Sequence, residues 1–513
     1  MHRLRLIPML LLLLGTDVAA NNLQISNISL TGQNTASDYT MVEFDMSWDN
    51  SWRDNINWDA AWIFIKWSTD NGLTWQHAKL NPTAGNHTAP SGSTITPSTD
   101  STGVFLYRSA NGSGAAAWTN VQLRWEYGVS GIADDASILV KVFGIEMVYV
   151  KQGSFWLGDS SMYSLAGHFA SAPGYQAPFR ITSEDSLTLG GTAAGNLVSR
   201  FHSAQANVYD DDFDSTITKT LPAAFPKGYN AFYCMKYEVT QEQYKDFLNT
   251  LTRAQQDTNT SVLAPLTGTS IINRYVQTNT STISSRNGIR CDSLLPSIAV
   301  PITFYCDLDG DGIGNENNDG QSITMNWLYY THSMSYTDWA ALRPMSELEF
   351  EKACRGPIRP LRDEYPWGSQ MIHPLTAISN AGTATESSNT PGANCVCTYA
   401  FSATVRAGIF ATSASTREQA GASYWGVMDM AGNSYERCVN VGLAIYRTFT
   451  GDHGDGNLSV AGLHNVNSWT LAGARGGGMD SQVELCRVSD RYYANYPYFG
   501  GQSTGFRCVR TAP

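Results

Sequence analysis

Alternation of apolar and polar positions dominates the first 143 residues. Residues 23–30 and 41–48 alternate with period two, and residues 62–67 (WIFIKW) form a dense aromatic and β-branched run. Asn71-Gly72 supplies a tight turn into Leu73, Thr74 and Trp75. Further strands are expected at 103–108, 121–127 and 137–143, with polar turns between them. His77 and His87 stand isolated in turn-rich sequence and read as solvated. No Pro/Gly/Ser linker follows. The apolar run passes from Val140 through Gly144 into Met147-Val148-Tyr149-Val150, so what comes next should pack rigidly against these strands.

Beyond residue 144 the pattern changes period. Thr240-Gln-Glu-Gln243 and Ser346-Glu-Leu-Glu349 each fit a capping box, in which the hydroxyl accepts from the third helical amide and the Gln or Glu reaches back. Each opens an amphipathic helix, one with Tyr244, Phe247 and Leu248 on a face, the other with Phe350 and Ala353. Segments at about 159–226 and 252–338 read as insertions, the second rich in Thr, Ser and Asn. Residues 1–20 have a basic start, an apolar stretch and Val18-Ala19-Ala20, the layout of a signal peptide, which predicts a secreted or cell-surface protein. No later stretch is long and apolar enough for membrane insertion. A net charge of -12 with 33 Lys plus Arg argues against nucleic acid, which requires a basic footprint. Nine cysteines in a chain expected to be exported, without a paired Cys-x-x-Cys, favour disulfides over metal thiolates; Cys395 and Cys397 have the wrong spacing. Cys291 with Cys306, and Cys438 with Cys486, are open pairings, and the odd count leaves one thiol over.

Gly153-Ser-Phe-Trp-Leu-Gly158, the two capped helices, Tyr365-Pro-Trp-Gly368, residues 425–436 (WGVMDMAGNSYE), Ala474-Arg-Gly-Gly-Gly478 and Gly505-Phe-Arg-Cys508 occur in a fixed order. Together they resemble the formylglycine-generating-enzyme (sulfatase-modifying factor) family. The resemblance implies an α+β C-type-lectin-like domain of the formylglycine-generating-enzyme type over 144–513, preceded by an all-β immunoglobulin-like sandwich over 21–143, whose count of about seven strands fits. It also implies a bridge between Cys354 and Cys508. Active relatives oxidise a substrate cysteine with copper held by two cysteines four residues apart, ahead of an arginine pair. The matching stretch here holds only Cys486 before Arg487 and Arg491, and one soft ligand cannot make that site. Gly478 replaces the serine of Arg-Gly-Gly-Ser, and Tyr435 replaces the tryptophan of Gly-Asn-x-Trp-Glu. Copper and iron are therefore not expected. His332, His453 and His464 read as structural, and no His-x3-His-x-Glu occurs. A metal-dependent oxidase or sulfoxide-synthase-like enzyme of the same superfamily is the alternative.

Calcium is the expected cofactor. Asp307, Asp309 and Asp311 stand at loop positions 1, 3 and 5 with Gly312 at 6, and Ile313 and Asn315 follow at 7 and 9. Position 12 is Asn318, with Asp319 beside it. The resemblance adds a second set: Asp429, the carbonyls of Gly432 and Ser434, and Glu436, with Asn394 matching a further calcium asparagine. Asp452 to Asn457 reads as a turn. Tyr492, Tyr493, Asn495, Tyr496, Tyr498 and Phe499 have the composition of a contact loop, since tyrosine gives large amphipathic area at little entropy cost. The expected function is non-catalytic binding, adhesion or surface assembly, with a protein or glycan ligand or self-association.

Overall fold

The computed structural model describes residues 22–160, 167–174, 177–199, 210–261, 274–291, 300–470, 472–497 and 500–513. The expected signal peptide, Tyr498 and Phe499 lie outside the described residues.

Two antiparallel sheets form the N-terminal sandwich. One holds β1 (Gln24–Asn34), β2 (Tyr39–Arg53) and β7 (Gly112–Trp125); the other holds β3 (Asp59–Ser68), β5 (Ser93–Pro97), β6 (Val104–Arg108) and β8 (Leu139–Val150), with the short β4 (Gln76–His77) on β3. β2 keeps the predicted alternation, turning Val42, Phe44, Met46 and Trp48 into the core. The Asn71-Gly72 turn is present, with φ of 58° and 86°, the left-handed values such a hairpin turn requires. The strand after it is not at residues 73–75 but at β4, because Asp70 takes the Thr74 amide (2.9 Å) and hydroxyl and holds that segment in the turn.

β3 is buried along its whole length. Ala61, Ile63, Ile65 and Trp67 face the sandwich core, whereas Ala60, Trp62 and Phe64 join the core of the following domain. This explains the unbroken apolar run, since a strand covered on both faces has no polar side to show. β8 pairs with β3 from Asp59↔Val148 to Ser68↔Leu139, and its far end pairs with Phe232–Met235, which in turn pairs with Val509–Thr511. The expected boundary at 143/144 thus falls inside one strand of a continuous sheet. His77 and His87 are buried rather than solvated: His77 bonds the Thr102 carbonyl (2.6 Å) and stacks on Phe64, and His87 bonds the Asn81 carbonyl (2.7 Å).

In the C-terminal part the capping boxes form as predicted, opening α1 (Gln241–Leu248) at Thr240 and α4 (Glu347–Arg355) at Ser346. A third, Thr252 with Gln255, opens α2 (Arg253–Thr258). α3 (Tyr330–Trp339) begins within the expected second insertion, and its Tyr336 and Trp339 pack with Phe247 and Phe64 in the central core. The first insertion folds as a four-stranded sheet, Phe169–Ser171, Leu197–Ser199, Leu187–Leu189 and Lys219–Leu221, sharing a core with Leu348 of α4. The turn at 452–457 docks the two halves. Gly456 offers its carbonyl to Lys66, and Asn457 accepts the His77 amide at 3.0 Å.

Candidate functional site

The site region is built on α4. Glu347 and Glu351 lie one turn apart and face inward, a position carboxylates hold only when paired. Arg475, ending the strand Gly473–Arg475, meets both, at 2.9 and 3.0 Å. Arg491 bonds Glu347 at 2.7 Å and Asp211 at 2.8 Å. These arginines therefore act as fasteners: they pin the two ends of the C-terminal loop to one helix and to the sheet formed by the first insertion. Between them, Met479 is fully buried and Ser481 donates to the Tyr435 hydroxyl at 2.6 Å. Tyr435 thus plugs the stretch between Arg475 and Cys486.

A short turn, Val483–Cys486, carries Cys486 back beneath Gly477. There it meets Cys395 and Cys397, and the three sulfurs lie within 4.8 Å of one another, all fully buried. Tyr365, Trp367, Ala431, Ile372 and Val483 surround them. Thiol hydrogen bonds from Cys395 and Cys486 draw Cys397 down to about 4, against the effect of burial, while burial pushes Cys395 well up. Sequence reasoning missed this cluster because a Cys-x-Cys pair does not match a knuckle and its partner lies some 90 positions away.

The bridge implied between Cys354 and Cys508 is not formed. Both are free thiols in different parts of the core, Cys354 among Phe350 and Trp425, Cys508 beside the Thr337 hydroxyl at 3.2 Å. Cys291 pairs with Phe304 and Cys306 with Ile289, so those two cysteines are out of register across their hairpin. Cys438 lies on a strand in the Cys354 cluster, away from Cys486.

The hairpin of Ile289–Cys291 and Phe304–Cys306 sets the acidic loop. Asp307, Asp309 and Asp311 bring carboxylate oxygens within 4.8 Å of one another, Asp307 buried and the other two exposed. Each carboxylate also takes a backbone amide of the loop: Gly310 to Asp307 (2.9 Å), Asp311 to Asp309 (3.1 Å) and Ile313 to Asp311 (2.7 Å). Asp307 is paired with Arg290. Asp319 is fully buried, has one carboxylate oxygen without a partner, and is pushed up to about 6 by burial and by Asp309 and Asp307. The side-chain oxygen of Asn315 accepts the Cys306 amide at 3.1 Å and closes the hairpin.

The residues of the second expected calcium set meet protein partners. Arg507 donates to Glu436 at 2.9 Å and to the Asp429 carbonyl at 3.0 Å, placing a guanidinium among these acids. Asp429 accepts the Gly408 amide at 2.5 Å. The Ser434 amide and hydroxyl both donate to Glu238, and Gly432 packs against Cys395. Asn394 instead braces loops, accepting the His373 amide at 2.9 Å. One Glu436 oxygen is left buried without a partner. In the expected contact loop, Tyr492, Tyr493 and Tyr496 are half-buried; Tyr493 meets Tyr435 and Tyr492 edge to face and Tyr496 at a tilt. Asn495 is not a contact residue: it is fully buried and donates its amide to Asp211 at 2.9 Å.

The sulfatase-modifying factor enzyme 1-like domain family matches residues 192–512, and the chain belongs to that family. No curated protein matches it. Among solved structures, variable protein 1 of Treponema denticola is similar at 12% identity and a TM-score of 0.25, covering 72% of this chain and 96% of that one. No helix among the described residues is long and apolar enough to cross a membrane.

Proposed function

We propose that this chain is an exported, non-catalytic recognition or surface-assembly protein, with an immunoglobulin-like sandwich rigidly joined to a C-type-lectin-like family domain. The observation that carries this reading is the exchange at the family's pocket. The stretch from Arg475 to Cys486 is plugged by Tyr435 and buried Met479, while the half-exposed rings of Tyr492, Tyr493 and Tyr496 stand next to the plug. Partly exposed tyrosines on a loop held by buried ion pairs have the rigidity and amphipathic area that protein or glycan contacts use.

Calcium belongs to the same proposal, at Asp307, Asp309 and Asp311 with Asp319 behind them. Its support is the convergence of three carboxylates on one loop and the partnerless buried oxygen of nearby Asp319, a group that costs free energy unless a cation or donor meets it. Replacing Tyr492 and Tyr496 together by Ser should abolish self-association in sedimentation, or binding on a glycan array, while leaving the melting temperature within a few degrees. Retained association with an unchanged melting temperature would remove the loop from the contact surface.

A further inference from the structure

We infer that the open edge of β8 is a docking site for a short, extended, apolar peptide segment of a partner protein, which adds to the sheet in line with the Phe232–Met235 strand. Only half of β8 is paired on both sides. Met147 to Val150 run against Phe232–Met235, whereas Leu139 to Ile145 have β3 alone as a ladder partner. In an antiparallel ladder the amide and carbonyl of one residue point to one side and those of the next residue to the other. The Tyr149 amide donates to the Trp58 carbonyl at 2.9 Å on the β3 side, and the Glu146 carbonyl accepts the Lys236 amide at 2.9 Å on the opposite side. Even-numbered residues therefore face away from β3. Val142 and Gly144 present amides and carbonyls along that edge, and no hydrogen-bond partner meets them among the described residues.

The edge opens into a cleft of about 380 Å³, a size at which proteins hold ligands. Because β8 lies between two cores, so does the cleft. Leu23 and Ile25 of β1 wall the sandwich side, and Phe143, Tyr336 and Trp339 wall the other. β1 comes this near because residue 144 is glycine: a β-carbon there would lie 2.8 Å from the Leu23 side chain and 3.1 Å from that of Ile25. Unmet amides and carbonyls at a strand edge are a template for another strand, which fixes the occupant's backbone as extended. Walls on both faces fix its side chains as apolar in succession, the pattern that doubly covered β3 shows. Charge does not select the occupant. The lining acids Glu146, Glu242 and Asp246 already have Lys236 or Lys245 as partners, and Arg406 donates to the Glu386 carbonyl at 2.6 Å. The site shares no residue with the tyrosine loop and does not depend on it.

The test begins with amide exchange in the full-length protein without ligand. The Val142 and Gly144 amides should exchange faster than those of Phe143 and Ile145, which face β3. Equal protection of all four would mean that the edge is already covered, and would overturn the proposal. The protein is then screened against an array of acetylated hexapeptides, half of them apolar throughout and half with Ser or Lys at alternate positions. Apolar members should bind and slow exchange at Val142 and Gly144. N-methylation of two alternate peptide amides, which removes two hydrogen bonds, should weaken them roughly tenfold. Ser322→Trp, placed in the lining of the cleft, should abolish binding and leave the melting temperature unchanged. An array without apolar binders, equal binding of the alternating peptides, or binding indifferent to N-methylation would each sink the idea. If Ser322→Trp does not fold, the N-methylated peptides and the exchange pattern of the unmodified protein decide.

Discussion

The sandwich and the family domain are held together by different physics. In the sandwich, alternate side chains of long strands fill one apolar core, so losing a methylene leaves a gap that neighbours partly close. In the family domain the strands that begin beyond residue 150 are two to four residues long, and the loops between them are fixed by guanidinium groups. Arg343, Arg437, Arg475, Arg491, Arg507 and Arg510 are each 2% exposed or less. Removing one partner there leaves a buried charge alone, which no local collapse repairs. The loops that carry the site are therefore as rigid as their ion pairs.

The largest effect should come from breaking one such fastener. Arg491→Ala strands Glu347 and Asp211 and should cost about 3–5 kcal/mol, whereas Ile63→Val in the sandwich should cost about 0.5–1.5 kcal/mol. Urea denaturation of both variants measures this, and equal costs would dissolve the contrast. Next in size is calcium. An ion that binds only the native chain should add about 2.7 kcal/mol at a hundredfold excess over its dissociation constant. Chelation should lower the melting temperature, and Asp307→Ala, Asp309→Ala and Asp311→Ala together should remove that response. An unchanged melting curve would make the loop an ordinary acidic turn.

A pH-dependent effect, smaller than about 1.4 kcal/mol within any half unit of pH, probes the seam between the regions. Asp338 accepts amides from Asp455 (3.1 Å) and Asn465 (2.9 Å), and burial, with Asp455 adding and Lys66 opposing, pushes it up to about 7. The folded protein then holds a proton that the unfolded chain has lost, so this group's contribution to stability falls as pH rises from about 4 to 7. The fall is at most about 1.4 kcal/mol per pH unit. Asp338→Asn should flatten the profile across that window relative to the parent protein; parallel profiles would count against it.

Legibility in the sequence followed the same divide. Period-two alternation located the sandwich strands, and only β5 and the short β4 escaped, β5 because Ser93–Pro97 is bounded by Pro and Ser-rich turns. The burial of His77 was not legible, because Asn457, which accepts its amide, and Gly456, which packs on its ring, come from some 380 residues away. In the family domain, capping boxes and ordered motifs located α1, α4 and the family. Composition hid α3, whose Thr, Ser and Tyr residues look like loop but are buried among Phe247 and Phe506. The acidic loop was visible because Asp307, Asp309 and Asp311 lie within five residues of sequence. The thiol cluster was not, because convergence of Cys395 and Cys486 is a property of the folded loops alone.

The central claim is that the family's pocket has exchanged oxidation for recognition. Its most direct test is to incubate the copper-supplemented, full-length protein with a Cys-x-Pro-x-Arg peptide under oxygen and to assay the peptide for aldehyde. With Tyr435 and Met479 filling the stretch and the sulfurs sealed, no formylglycine should form. Catalytic turnover of the peptide cysteine to aldehyde would contradict the account.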